Sequence, residues 1–151
     1  MSEKTWEECV ESRNCFKITP DKEKAKSLLE IAEDRIANSI KEINEKNVNF
    51  VFEDYYSSIV EILHAILFIE GFKVLNHICL GNYLKDVLKR EDLFRDFDDL
   101  RYKRNSLTYY GKKMDFDVGK EAIVKSKKLM KELKEISRKK FEKNPKGFKG
   151  V

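Results

Sequence analysis

The stretch FVFEDYYSSIVEILHAILFIEG, residues 50–71, decides the fold. Tyr55, Tyr56, Ile59, Val60, Ile62, Leu63, Ile66, Leu67, Phe68 and Ile69 make it apolar nearly all round. A helix of that kind lies at the centre of its domain or covers a partner subunit. Gly71 suits the left-handed conformation that ends it. Set into the helix is a more polar row, Asp54, Ser58, Glu61 and Ala65, spaced four, three and four.

Outward from this helix the neighbours are simpler. Thr19-Pro20-Asp21 reads as a helix start, Thr19 capping and Pro20 at the first helical position. That helix is expected to reach about residue 44, burying Ala25, Leu28, Leu29, Ala32, Ile36, Ile40 and Ile43. Asn44 to Asn49 makes a polar break before the central helix. A shorter helix is expected over about Asn76 to Leu88, followed by one that ends at Gly111. A last helix, capped by Asp115 or Asp117, carries Ala122, Ile123, Ser126, Leu129, Met130, Leu133 and Ile136 and frays near residue 142. No strand-period alternation of useful length and no internal repeat is found. The expected architecture is an all-α, up-and-down bundle of about five helices. A short helical lead around Trp6, Cys9 and Val10 occupies residues 1–18, the helical domain 19–142, and a flexible basic tail 143–151. Asn144-Pro145-Lys146-Gly147 cannot continue a helix.

The 151 residues suit one domain with a proper core. Charged residues reach 38%, glutamine is absent, and glycine and proline are scarce, a profile of long helices with charged outer faces that also fits a heat-adapted source. Net charge is only +4. Basic excess concentrates after Lys120, as a solvated face and tail or as an attraction for RNA. Cys9, Cys15 and Cys79 are an odd number without repeated spacing, so neither a disulfide framework nor a zinc site is expected, and a reducing cytoplasm is. No secretory signal opens the chain, and charges interrupt every apolar run short of a membrane span, so a membrane partner is not expected. There is no glycine-rich phosphate loop, no paired-carboxylate motif on one helix, and with two histidines no Ser/His/Asp set; neither cofactor nor metal is expected.

The residues that ask for a function lie in Leu93–Gly111. At spacings of three and four the buried stripe runs Leu93, Phe97, Leu100, Arg104, Leu107. Arg104 occupies an apolar slot, and burying an unpaired guanidinium costs several kcal/mol. Asn105 and Tyr109 flank it one turn apart. Arg104 then needs a carboxylate, and Glu61 or Asp54 on the polar row is the expected supplier. Such a pair either clips two helices in register or holds a charge ready for phosphate. His77 could reach this site from its own helix, or cap that helix and bond a carbonyl. His64 reads as a satisfied, partly buried side chain. Tyr55, Tyr56, Tyr109 and Tyr110 read as core, interface or base-stacking residues.

Arg104-Asn105, a three-residue spacer and an aromatic polar residue resemble the signature of HEPN domains (higher eukaryotes and prokaryotes nucleotide-binding). Residues 19–44, Phe52-Glu53-Asp54-Tyr55-Tyr56 through Glu70-Gly71-Phe72-Lys73, Asn76-His77, and Arg101 to Gly111 are similar to an archaeal HEPN subgroup over roughly residues 19–137. The resemblance implies a five-helix, homodimeric bundle. In HEPN ribonucleases an Arg and a His from two subunits meet at the dimer seam and assist attack of the ribose 2′-hydroxyl on phosphate, without metal. This chain has Tyr109 where the pattern has His, and a phenol titrating near 10 is a poor substitute for imidazole. The resemblance therefore implies a catalytically degenerate domain that binds a nucleotide, RNA or a nucleotidyltransferase partner. Arg104, Asn105, Tyr109, Tyr110, Arg101 and His77 would form the binding site, with Asp54 and Glu61 as supporting acids. Two alternatives stay open. One is a metal-independent ribonuclease, the toxin of a toxin–antitoxin pair, using Arg104, Asn105 and Tyr109; the other is a helical protein-interaction module. In toxin members a Tyr two residues after the His accepts AMP from the partner; that position is Gly111 here, with Tyr110 one residue early.

Overall fold

The computed structural model describes residues 4–143. Helices α1 (Trp6–Glu11), α2 (Lys22–Ala37), α3 (Val48–Glu70), α4 (His77–Asn82), α5 (Glu91–Tyr110) and α6 (Phe116–Lys143) follow one another, and α4 runs on into a π-helical turn, Tyr83–Val87. Strands β1 (Cys15–Lys17) and β2 (Phe72–Val74) pair antiparallel, with Cys15 opposite Val74. Of the expected flexible tail, 143–151, Lys143 closes α6 and residues 144–151 lie outside the described residues.

The architecture is an all-α bundle around α3. Phe52, Tyr56, Ile59, Ile62, Leu63, Ile66 and Leu67 are all buried, at roughly 1.5–3 kcal/mol for each large apolar side chain. The most extensive packing of α3 is with α2 on one side and α6 on another, while α5 rests on α6, α4 and α3. Gly119 on α6 permits the closest approach, because a Cβ there would stand 2.6 Å from Val48 Cγ2. Asn49 ties the start of α3 to the α5–α6 connection, its Oδ1 accepting from the Met114 N–H at 2.9 Å.

Several boundaries differ from those expected. The helix start is capped by Asp21, not Thr19: its Oδ1 accepts from Lys24 N–H at 2.9 Å, and Thr19 and Pro20 precede the helix. Pro20 instead packs beside Gly71, whose φ of +86° and whose neighbour Ile18 O, 2.9 Å from where a Cβ would be, leave room only for glycine. That helix also stops at Ala37 rather than near residue 44. Asn44 and Asn47 exchange backbone-to-side-chain hydrogen bonds at 2.8 and 3.0 Å, a local turn that competes with helix. Ile40 is exposed, so its match to the helical stripe was a coincidence of spacing, while Ile43 packs on the core from outside the helix. The expected 76–88 helix is α4 plus the wider π-turn, capped by Asn76.

The lead is not separate from the domain. Cys9 and Cys15 are fully buried in the main core, and Trp6 meets the rings of Phe72 and Tyr83 edge-on, each at 5.5 Å. Trp6 N–H donates to Asp86 of the π-turn at 2.8 Å. Cys9 and Cys79 form a disulfide between α1 and α4, against the expectation of unpaired thiols. Seventy positions separate the two in sequence, so no local spacing reveals the pairing. A disulfide persists in oxidising surroundings or inside hyperthermophiles, and its presence removes the argument for a reducing cytoplasm that rested on the cysteine count. No helix of the described residues is long and apolar enough to cross a membrane.

Candidate functional site

On α5 the stripe is as read: Leu93, Phe97 and Leu100 are buried, Leu107 is partly buried, and Arg104 lies half-buried between them. Its surroundings are rings rather than acids. The guanidinium carbon sits 5.6 Å from the centroid of Tyr56 on α3 and 5.8 Å from that of Tyr109, five residues along α5. A ring face attracts a cation through its quadrupole, at about 0.5–2 kcal/mol depending on desolvation. Tyr56 is only 2% exposed and stacks nearly parallel on Phe97 at 5.8 Å, so the floor under Arg104 is rigid.

The expected carboxylates are committed elsewhere. Glu61 takes both Arg35 Nε at 3.2 Å and Nη2 at 2.5 Å in a two-pronged pair across α2 and α3. Asp54 accepts from the Ser39 hydroxyl at 2.8 Å. Among the described residues, no acid lies within ion-pair distance of Arg104. The reason is topological: the acid row of α3 looks toward α2, whereas α5 meets α3 on the Tyr56 side.

His77, the first residue of α4, does reach this place. Its Nδ1 shares a 2.8 Å hydrogen bond with Tyr56 Oη, and the two rings lie 5.6 Å apart. Burial first, then the positive charges of Arg104, His64 and Arg101, push the imidazole down to about 4, so it is neutral at pH 7. Burial also drives the Tyr56 phenol far above its ordinary value, opposed by Arg104 and Arg101, so it stays protonated. Burial lowers His64 as well, aided by Lys24 and opposed by Glu61. Arg101, with a side chain 16% exposed, bonds one oxygen of Asp98 through Nε at 3.1 Å and Nη2 at 2.8 Å. Tyr109 and Tyr110 are 68% and 80% exposed at the end of α5, and Asn105 is half-buried with no side-chain hydrogen bond among the described residues.

The site thus joins Arg104, Arg101, His77 and Tyr109 on a Tyr56 floor, and leaves out Asp54 and Glu61. Asp98 was not foreseen, although its place three residues before Arg101 on one helix is a readable ion-pair spacing. No group of three or more metal-binding side chains occurs among the described residues. No family model matches the chain, and neither a curated protein nor a solved structure gives a significant match.

Proposed function

We propose that this chain is an HEPN-like, catalytically degenerate, homodimeric domain that binds the phosphate of an RNA or nucleotide at Arg104. The observation that carries the reading is the guanidinium held half-buried over Tyr56 without a carboxylate. An arginine serving as a clip would have its charge neutralised by an acid, as Arg35 has by Glu61. An arginine held by ring faces keeps its full charge and its fork of N–H donors for an incoming phosphate. Exposed Tyr109 beside it offers a stacking face for a base.

Cleavage is not expected. Tyr109 takes the place of the signature imidazole, and His77, pushed down to about 4, is too weak a base to draw a proton from a 2′-hydroxyl near neutral pH. Fluorescence anisotropy with a short mixed-sequence RNA tests the reading. The wild type is expected to bind with salt-dependent affinity, and Arg104→Ala to lose about tenfold or more, with Arg104→Lys intermediate. Equal binding by Arg104→Ala refutes the site, and Arg104-dependent cutting of the RNA in chelator replaces this function with a ribonuclease. Light scattering at micromolar concentration is expected to give the dimer mass.

A further inference from the structure

We propose that the Arg104 site selects a terminal phosphate monoester over an internal phosphodiester, with His77 as the third phosphate ligand beside Arg104 and Arg101. The inference rests on the anion-site reading and deepens it.

The geometry supplies more than a diester needs. Arg101 is already offset by Asp98, so Arg104 carries the one uncompensated positive charge of the cluster. A diester's single negative charge would match it, leaving His77 without a task. Yet His77 is anchored beside the guanidinium by Tyr56 through one nitrogen only. Its Nε2 has no protein partner, and the one fully enclosed side-chain polar atom lacking a partner among the described residues is Tyr83 Oη. His77 Nε2 is therefore reached by solvent, on a ring that shares Tyr56 with the Arg104 guanidinium. The groups facing the imidazole are Tyr56 and His64 from α3 and Arg101 and Arg104 from α5, with Asp98 farther out.

Burial first, and then the charges of Arg104, His64 and Arg101, keep His77 neutral near pH 7. A phosphate that neutralises the two arginines removes their part of that penalty, so binding and proton uptake support each other. A monoester loses its second proton near pH 6, so near neutrality it carries close to two negative charges. These match Arg104 plus a protonated His77, whose Nε2–H then donates to a phosphate oxygen. A diester, with one charge and no third free oxygen, gains less from the same proton. Monoesters occur at RNA ends and in nucleoside monophosphates, and both share this chemistry.

The test measures binding of one short oligouridine carrying a 5′-phosphate, a 3′-phosphate, or hydroxyls at both ends, with uridine 5′-monophosphate and uridine as competitors. At about pH 7 a phosphate at one end is expected to tighten binding roughly tenfold. The advantage should grow several-fold from about pH 8 to about pH 6.5 as His77 takes up its proton. His77→Gln should abolish both the advantage and its pH dependence, each read as the ratio of phosphate-ended to hydroxyl-ended binding within the variant; His77→Asn serves if the glutamine variant does not fold. Competition by the monophosphate as strong as by phosphorylated RNA supports a free-nucleotide ligand, and weaker competition supports an RNA end. Arg104-dependent binding that is equal for all three oligonucleotides, or a pH-independent advantage in the wild type, overturns the monoester proposal and leaves the anion site standing. Failure of every probe to bind overturns the anion site too.

Discussion

Acid should weaken this fold through His77, by an amount that can be read against a variant lacking the imidazole. In the folded protein the imidazole sits at about 4, against 6.5 for an unperturbed side chain, because burial and the nearby Arg104, His64 and Arg101 charges disfavour its cation. As pH falls below 6.5 the unfolded chain takes up the proton first. Its contribution to stability is therefore complete above about 6.5, is lost progressively down to about 4, and changes no further below that. The full shift corresponds to about 3 kcal/mol at 1.36 kcal/mol for each pH unit. Solvent reaches one edge of the ring, so screening reduces the expected loss to about 1–2 kcal/mol. Urea unfolding of the wild type and His77→Gln at about pH 7.5 and pH 4.5 reads it, since the carboxylates titrate alike in both proteins and His64 differs only through its coupling to His77. The wild type should lose its margin over the variant by that amount between the two conditions. A margin that stays constant would mean that His77 is solvated or already paired with an anion, and would refute a buried, neutral imidazole beside Arg104.

Opening the Cys9–Cys79 disulfide by Cys9→Ser with Cys79→Ser should cost about 4 kcal/mol by the chain-entropy estimate for a loop of this length, read as a lower urea midpoint; a change under about 1 kcal/mol refutes it. Gly119→Ala drives a methyl to 2.6 Å from Val48 Cγ2 and should destabilise by about 1–3 kcal/mol, with Val48→Ala in the same chain recovering part of the loss. Arg104→Ala gives up two ring contacts at a half-buried position and should cost less than about 2 kcal/mol in thermal or urea unfolding. A larger loss would favour a structural clip over a binding role.

The bundle was legible where one face of a helix faces one medium. The 50–71 stretch is apolar nearly all round, which points to the centre of a domain or to a subunit interface, and its observed boundaries, Val48 and Glu70, lie close to those read from the sequence. The end of α5 at Gly111, where φ is +61°, was likewise carried by one residue type. Legibility failed where local side-chain bonds or distant partners decide. Ile40 and Ile43 continue the apolar spacing past Ala37, yet the Asn44–Asn47 turn competes with the helix there. The β1–β2 ribbon is too short to produce alternation, and it depends on Gly71 turning the chain back beside Ile18. The disulfide joins residues whose spacing carries no signal.

At Arg104, spacing along one helix and packing between helices part company. Its place on the buried stripe was visible, and the inference that a buried cation needs compensation was sound. Glu61 and Asp54 are the acids the spacing assigns to Arg104, but Arg35 on α2 takes Glu61, and only the packing of α2 on α3 decides that. Once Arg35 and Ser39 have claimed the acids, α5 must stabilise its arginine by other means, and Tyr56 and Tyr109 provide their ring faces. The substitution has a chemical consequence. A carboxylate cancels the charge it pairs with, whereas a quadrupole steadies a cation and leaves its charge in place. The same packing that defeats the sequence-based pairing is what gives this protein an uncancelled guanidinium beside a neutral imidazole.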